Sequence, residues 1–393
     1  MILIGYAIIL AAFLAWNVWN GSADSLLAAW MQRRRRQRYR TDPDAVSMQA
    51  AANGHAAVMA PNAGVAVAVV TPAGVRHVFA GQVDGADSPA PDADTRFEIG
   101  SLTKTFTAAL LVAMQRQGLV RLDTRLDALL PPDARLGKQQ PVPATLTSLA
   151  THTSGLPRLP WGLPMLAGLY CTPRQPYRFI GEKTLTRWLR HRRIRFGGRH
   201  RYSNLGYGLL GQVLARRAGV DYAGALQHFV LEPLGLDGVT AAADAACAQP
   251  HTSLGRRTPA WNLRALTPAG GLRASLADMT RWLQANMAEQ PPLDARLHTA
   301  RENSGGLGRS IALGWHVDGE GDRRAVWHNG RTGGSSSVMA FAPAHGIGIV
   351  VLSNSAASVD ALGLRLLHAT AAGADDQSGN AAPVHMQRIT EPY

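Results

Sequence analysis

Ser101 and Lys104 are the residues of this sequence whose types and spacing suggest chemistry most directly. They lie three positions apart in the stretch from Phe97 to Met114, whose pattern predicts an extended segment, a turn at Gly100 and a buried helix. Residues three apart share one face of a helix, so the hydroxyl and the amine should lie side by side. A hydroxyl next to a base is the arrangement that acyl transfer requires.

The alternative for Ser101 is a simple helix N-cap, because serine is common at helix starts and the Ser-x-x-Lys spacing is short. The rarity of lysine in this chain favours a catalytic role for the pair Ser101 and Lys104 over a simple N-cap. The chain has 40 Lys+Arg, yet lysine occurs only at positions 104, 138 and 183. A buried lysine can lose its proton near neutral pH, whereas arginine cannot. We therefore predict that Ser101 is a nucleophile and that Lys104 is its base.

The composition is that of a globular protein with an anionic partner. Hydrophobic residues make up 46% of the 393 residues, and the net charge is +13. Nucleic acid is one candidate partner, and a membrane or cell-wall surface is another. Nucleic acid is disfavoured, because aromatic residues are only 6% and no nucleic-acid motif is present. No Cys/His spacing typical of a metal site occurs, so neither a metal nor a cofactor is predicted. Cys171 and Cys247 could pair or stay free.

Strand patterns occur near both ends of the chain. A valine-rich hairpin is predicted over 64–81, with its turn at Pro72 and Gly74. Strands return late in the chain, at 312–317, 325–329, 336–341 and 347–353.

The arrangement predicts an α/β (α+β) fold. An antiparallel sheet from the discontinuous segments 61–120 and 310–372 should be flanked by helices, with residues 121–309 forming an inserted, mostly helical domain. We expect the functional site at the seam between them. Residues 373–393 have the composition of a disordered tail.

The N-terminal segment 1–23 carries no charge and is apolar enough to predict a membrane segment. The basic juxtamembrane stretch and linker, 24–60, includes Arg33–Arg36. By the positive-inside rule, this cluster would place the folded part in the cytoplasm. The alternative is that translation begins at Met31 or Met48.

A second basic segment lies between 187 and 201. It contains seven arginines, at 187, 190, 192, 193, 195, 199 and 201. Such a run is either a solvated helix face or a rim that attracts an anionic substrate or lipid. Both interpretations stay open, although the segment runs directly into a candidate site residue, Tyr202.

Three short motifs follow one another along the chain: Ser101-x-x-Lys104, Tyr202-Ser203-Asn204 and His328-Asn329-Gly330. Each is weak alone, but the three together, in this order, are specific. Over 60–372 the sequence therefore resembles the serine β-lactamase and penicillin-binding-protein superfamily, particularly its class C β-lactamase, D-alanyl-D-alanine carboxypeptidase and esterase branch. The resemblance implies a β-lactamase/transpeptidase-like fold.

The resemblance also implies a role for each motif residue. Tyr202 would relay a proton to or from the leaving group, and Asn204 would hydrogen-bond both Lys104 and the substrate amide. On the opposite side, His328 and Gly330 belong to the motif that binds substrate. The backbone N–H groups of Ser101 and of Arg331, just past this motif on an edge strand, would form the oxyanion hole.

One residue departs from the usual pattern of the family. His328 stands where β-lactamases and carboxypeptidases usually have the lysine that binds the substrate carboxylate. A histidine is mostly neutral at pH 7. Members with histidine here are often esterases, D-amino-acid amidases or peptidases, so efficient β-lactam hydrolysis is not expected. A nearby arginine could compensate.

The favoured hypothesis is a serine hydrolase that forms an acyl-enzyme at Ser101 with an ester, an amide or a D-aminoacyl peptide, hence a small-molecule or peptide substrate. One alternative is a β-lactamase or D-alanyl-D-alanine carboxypeptidase proper. Another is an acyl transferase, a peptide cyclase or a non-catalytic penicillin-binding sensor. The resemblance favours a periplasmic or extracellular catalytic domain, which conflicts with the cytoplasmic side that the arginine cluster favours.

Overall fold

The structure is a computed structural model that describes residues 48–59, 62–132, 144–190, 199–242, 247–303 and 309–378. The predicted membrane segment 1–23, the arginine cluster that follows it and the last fifteen residues of the chain lie outside the described residues. Within the described ranges, no helix is both long enough and apolar enough to cross a bilayer. Cys171 and Cys247 are free thiols.

In the described residues, ten strands form two antiparallel sheets. They are β1 (Val65–Thr71), β2 (Gly74–Ala80), β3 (Arg96–Glu98), β4 (Arg273–Ser275), β5 (Glu302–Asn303), β6 (Arg309–Ile311), β7 (His316–Asp318), β8 (Ala325–Arg331), β9 (Ser336–Ala342) and β10 (Ile347–Ser353). The main sheet has eight strands in the order β2-β1-β10-β9-β8-β7-β6-β5, and β3 pairs with β4. Strands from the early segment 65–80 and the late segment 302–353 therefore share one sheet, as predicted.

The predicted hairpin at the start of the sheet is confirmed. Strands β1 and β2 pair with Thr71 opposite Gly74, so the turn lies at the predicted Pro-x-Gly. The predicted strand at 312–317 is wrong, because the chain turns there and forms β6 and β7 instead. Gly314 causes the turn, since it adopts φ +77° and approaches the helix that carries Lys104 too closely for a side chain.

The part of the chain that the structure describes contains eleven α-helices. They are α1 (Met48–Met59), α2 (Thr103–Arg116), α3 (Leu126–Leu129), α4 (Leu146–Ala150), α5 (Leu163–Cys171), α6 (Glu182–Arg190), α7 (Asn204–Ala218), α8 (Tyr222–Leu226), α9 (Thr267–Gly270), α10 (Leu276–Met287) and α11 (Asp360–Ser378). A π-helical turn, Gln227–Leu231, continues α8.

Two apolar cores lie on opposite faces of the main sheet. Helix α2 runs through the larger core, and its residues from Thr103 to Met114 are all buried, as the sequence predicted. Helices α1 and α11 pack on the other face. Helix α11 continues to Ser378, so the tail predicted from 373 begins with six helical residues.

Helix α10 packs on β1 and β10 of the sheet. Its residues lie within 121–309, the range predicted as the inserted helical domain. The predicted boundary at 309 therefore places a helix that packs on the main sheet in the helical domain. Within the same range, helices α8 and α9 contact both α2 and α7, and helices α3 and α4 contact α7. Helix α7 contacts α2 directly, and Tyr202, two residues before α7, lies against Ser101 at the start of α2.

Candidate active site

The turn that carries Ser101 joins β3 to α2. Gly100 adopts φ +49°, and Gly100–Leu102 form a 3₁₀ turn before α2 begins at Thr103. A Cβ at position 100 would lie 2.6 Å from the main-chain nitrogen of Arg331. Glycine is therefore required both by the backbone conformation and by the close approach of strand β8.

Ser101, Lys104 and Tyr202 come together as the sequence predicted. Ser101 Oγ accepts hydrogen bonds from Lys104 Nζ at 2.9 Å and from Tyr202 Oη at 2.7 Å. The lysine is the second residue of α2, and the tyrosine comes from the segment just before α7, 101 positions later in the chain. The hydroxyl therefore contacts both groups that could exchange a proton with it.

Lys104 lies in surroundings that favour its neutral form. Its side chain is fully buried, and burial holds the pKa of the amine well below its usual value, with repulsion from Arg158 as a second cause. Lys104 Nζ lies 4.8 Å from the ring centroid of Tyr202 and 5.6 Å from that of Tyr207. A neutral amine at hydrogen-bonding distance from Ser101 can accept the serine proton.

The expected hydrogen bond between Asn204 and Lys104 is not found. Lys104 Nζ donates instead to the main-chain oxygen of Ala269 at 2.5 Å, besides its bond to Ser101. Asn204 Oδ1 is buried without a hydrogen-bond partner. Since Ser203 provides the N-cap of α7, the Asn204 side chain is not needed to start the helix.

Tyr202 is held between two side chains that sequence reasoning had not assigned. The ring of His152 lies 4.4 Å from the Tyr202 ring, and His152 Nδ1 accepts a hydrogen bond from the main-chain nitrogen of Ser203 at 3.0 Å. The guanidinium of Arg158 lies 5.1 Å from the centroid of the Tyr202 ring. His152 begins the segment 152–157, and Arg158 follows this segment directly. The segment lies within the range 60–372 that resembles the family, and this resemblance was the available signal.

His328 lies on the opposite side of the site, on β8. It is 2% exposed, and its Nδ1 donates to the main-chain oxygen of Asn329 at 2.6 Å. Burial lowers the pKa of His328 to about 3, with Lys104 as a second cause. The prediction of a neutral histidine at pH 7 agrees with these surroundings, so this motif supplies no positive charge to a substrate.

Gly330 allows the Ser101 turn to lie directly against β8. A Cβ at Gly330 would lie 2.0 Å from the main-chain oxygen of Ile99 and 2.9 Å from the main-chain nitrogen of Ser101. Ser337 Oγ also donates to the Ile99 oxygen at 2.8 Å. The main-chain nitrogens of Ser101 and Arg331 therefore both lie along the line of contact between the turn and the strand.

The sequence analysis placed Arg331 on an edge strand, and this is only locally correct. Strand β8 lies inside the main sheet, between β7 and β9. However, β7 pairs only with residues 325–327 of β8. Residues 328–331 therefore have no β7 partner, and the Ser101 turn occupies that side.

Glu98 connects the two sides of the site, which the sequence analysis did not anticipate. Its carboxylate is buried and accepts hydrogen bonds from the main-chain nitrogen of Trp261 at 2.5 Å and from the hydroxyls of Thr332 at 2.8 Å and Ser335 at 3.3 Å. Burial raises the pKa of this carboxyl group. Glu98 thus ties β3, which precedes Ser101, to the loop that follows β8.

Comparison with known proteins identifies the family. A family model described as beta-lactamase matches residues 56–372. The chain is 27% identical over 310 residues to the D-alanyl-D-alanine-carboxypeptidase/endopeptidase AmpH of Escherichia coli (strain K12), covering 73% of this chain and 78% of that protein. It is 26% identical over 350 residues to a beta-lactamase of the same organism, covering 74% and 84%.

A solved structure shows the same fold. The class C beta lactamase from Rhodobacter sphaeroides matches with a TM-score of 0.66 at 23% identity, over 78% of this chain and 93% of that one. The mixed α/β architecture with its antiparallel sheet is therefore that of the β-lactamase/transpeptidase fold. The family match covers most of the chain, and the relatives are hydrolases by name. The chain belongs to the beta-lactamase family and is a serine hydrolase.

Proposed function

We propose that this hydrolase works through an acyl-enzyme at Ser101, formed from an ester, an amide or a D-aminoacyl peptide and resolved by water. The observation that carries the proposal is that Ser101 Oγ accepts hydrogen bonds from both Lys104 Nζ and Tyr202 Oη. In the first step Ser101 Oγ attacks the substrate carbonyl carbon, and its proton passes to Lys104 Nζ. A covalent Oγ–C bond forms, and the carbonyl oxygen takes the negative charge.

The second step expels the leaving group. The bond from the carbonyl carbon to the leaving oxygen or nitrogen breaks, and Tyr202 Oη supplies a proton to that leaving atom. Lys104 then gives Tyr202 the proton that it took from Ser101. Water attacks the acyl-enzyme in the same way and releases the acid. These transfers need no group beyond the three whose contacts have been described.

The main-chain N–H groups of Ser101 and Arg331 are suited to stabilise the oxyanion. Their nitrogens lie on either side of the close contact between Gly100 and β8. Fixed backbone donors aimed at the developing negative charge are among the largest contributions to acyl-transfer catalysis. Asn204 Oδ1, buried without a partner, is suited to accept an N–H of a peptide or amide substrate.

The charge of the substrate is recognised differently from the usual family pattern. His328 is neutral, so a substrate carboxylate needs another cation, and Arg158 lies beside Tyr202. This arrangement favours esters and D-aminoacyl peptides over efficient β-lactam hydrolysis. The similarity to a D-alanyl-D-alanine-carboxypeptidase/endopeptidase supports D-alanyl peptides as a second candidate substrate class.

The test is steady-state turnover with matched substrates. The full chain is compared with Ser101→Ala on an aryl ester, a D-alanyl anilide, its L-alanyl counterpart and a chromogenic cephalosporin. We expect turnover of the ester or the D-alanyl compound, slow or no cephalosporin hydrolysis, and loss of all turnover in Ser101→Ala. Cephalosporin turnover as fast as ester turnover would favour a β-lactamase proper.

A further inference from the structure

Helix α5 presents an apolar stripe to solvent. Its nine residues, Leu163–Cys171, include no charged side chain. Met165 and Gly168 face the interior, whereas Leu163 is 83% exposed and Tyr170 is 76% exposed. These two exposed residues are seven positions apart, with the half-buried Leu166 between them, so they lie on one face of the helix. A single exposed leucine needs no explanation, but an outward stripe on a helix without polar residues does.

The stripe is extended by a tryptophan and bordered by helix α6. Trp161, just before α5, is 46% exposed. Its main-chain oxygen accepts a hydrogen bond from Trp188 Nε1 of α6 at 2.8 Å. This contact holds the exposed basic side chains of α6 next to the start of the stripe.

Exposed positive charge is concentrated in the segments next to α5. Arg174 and Arg178 follow α5 directly and are exposed, as is Arg187 on α6. The described residues from 158 to 190 and from 199 to 203 contain seven arginines and one lysine, against a single acidic residue, Glu182. An apolar helix face within a strongly basic surface is the pattern of proteins that lie on anionic lipid.

We propose that this α5 face, formed by Trp161, Leu163, Leu166 and Tyr170 with Arg174, Arg178 and Arg187, docks on an anionic membrane surface. The apolar side chains enter the interface between headgroups and acyl chains, and the arginines contact lipid phosphates. A nucleic acid would use the arginines but would leave the stripe of Leu163 and Leu166 in water, which makes lipid the better match.

The docking face and the active site share one segment of chain. Arg158, three residues before Trp161, lies 5.1 Å from the Tyr202 ring. At the other end, the main-chain nitrogen of Arg201 donates to the main-chain oxygen of His152 at 2.7 Å. Docking through α5 therefore holds the active site close to the lipid surface. The inference goes beyond the proposed function and does not depend on it.

Cys171 provides a natural reporter for the test, because it is a free, exposed thiol at the end of α5. The full chain carrying Cys247→Ser is labelled at Cys171 with an environment-sensitive fluorophore. It is then titrated with phosphatidylglycerol vesicles and with phosphatidylcholine vesicles. We expect a blue shift with phosphatidylglycerol that weakens with salt, and little change with phosphatidylcholine.

Variants separate docking from attachment elsewhere in the chain. Leu163→Glu with Tyr170→Glu should weaken the vesicle-induced shift by about tenfold in lipid concentration. Arg174→Gln with Arg178→Gln should weaken it by about fivefold per arginine. The matched control is Val75→Glu, an exposed apolar residue on the outer strand β2, which should leave the shift unchanged.

Three results would overturn the proposal. The first is no shift with phosphatidylglycerol vesicles. The second is an unchanged shift in the Leu163→Glu, Tyr170→Glu variant, which would place attachment outside the α5 face. The third is a shift produced by a DNA duplex but not by vesicles, which would assign the basic surface to nucleic acid. Unfolding midpoints, measured for every variant, show that the surface changes leave the fold intact.

Discussion

The two sides of the active site differ in what they offer before a substrate arrives. On the helix side, Ser101 Oγ already accepts hydrogen bonds from Lys104 and Tyr202. On the strand side, His328 is buried and neutral, and its Nδ1 is bonded to the main chain of its own strand. The helix side is ready for proton transfer, whereas the strand side provides glycines and main-chain groups but no cation from its histidine.

The acyl-transfer step and the recognition of the substrate's charge therefore depend on different residues. The residues that would carry out acyl transfer follow the family pattern, and their contacts are in place. The lysine that usually binds the substrate carboxylate in the family is replaced by His328, and Arg158 lies on the helix side of the site, beside Tyr202. We therefore expect changes on the helix side to affect turnover most, and changes in charge recognition to affect the substrate preference.

The largest effect is expected from removing the base. Lys104→Met keeps most of the buried volume but removes the amine, so kcat/KM for the preferred ester should fall by about 10³. Lys183→Met, at an exposed position on α6, is the matched control and should keep wild-type kinetics. If Lys104→Met retained turnover within tenfold of the wild type, Lys104 could not be the base.

The strand side can be tested through its glycine. In Gly330→Ala the new methyl group would collide with the main-chain oxygen of Ile99 and push the Ser101 turn away from β8. Because this misplaces the oxyanion donors, kcat should fall by about 10². Gly181→Ala, where a Cβ meets nothing within 4 Å, is the control. Unchanged kcat in a folded Gly330→Ala protein would argue against an oxyanion hole at this contact.

Charge recognition is tested with Arg158→Ala and a pair of aryl esters that differ only in a carboxylate. KM for the carboxylate ester should rise about tenfold, with KM for the neutral ester unchanged. Since Arg158 also holds down the pKa of Lys104, the acid limb of the pH–rate profile should move to higher pH with both esters. Arg323→Ala, at an exposed turn, is the control. Equal changes in KM for both esters would show that Arg158 does not bind the substrate carboxylate.

The last prediction concerns stability rather than turnover. The pKa of His328 is about 3 in the folded protein and 6.5 in the unfolded chain, so the unfolded chain binds the proton first as pH falls. The free energy of unfolding should therefore decrease from pH 6.5 downward, by about 2 kcal/mol at pH 5 for this histidine. His298, lowered to about 3, and His55, lowered to about 4, act in the same direction.

Urea unfolding at pH 7 and pH 5 measures this effect. Between the two pH values, the free energy of unfolding of His328→Gln should fall by about 2 kcal/mol less than that of the wild type. The variant lacks the buried imidazole, which takes up a proton only in the unfolded chain at these pH values. His228→Gln, at an exposed position, is the comparison variant. An identical loss in the wild type and in His328→Gln would contradict a neutral, buried His328.

The sequence predicted the parts of the molecule that depend on local patterns. The hairpin at Thr71 and Gly74 and the buried helix after Ser101 are where periodicity and turn residues placed them. The meeting of Lys104 with Ser101 followed from helical spacing. Tyr202 joined them only through the resemblance, since it lies 101 positions away.

The parts that the sequence missed depend on contacts between distant segments. The acceptor for Lys104 is the main-chain oxygen of Ala269, which no side-chain pattern reveals, and the expected partner Asn204 is not used. The strand predicted at 312–317 turns at Gly314 because helix α2 lies against it. The three hydrogen bonds of Glu98 come from segments far along the chain. In the sequence, Glu98 is only a single acidic residue three positions before Ser101, and no pattern indicates its partners.

The central claim is that Ser101 becomes covalently acylated. The most direct measurement is the intact mass of the full chain after brief incubation with a penicillin, an aryl ester and a D-alanyl peptide, followed by mapping of the modified peptide. We expect an added acyl mass on Ser101 with the ester or the peptide, and none in Ser101→Ala. An adduct on another residue, or turnover that persists in Ser101→Ala, would contradict an acyl-enzyme at Ser101.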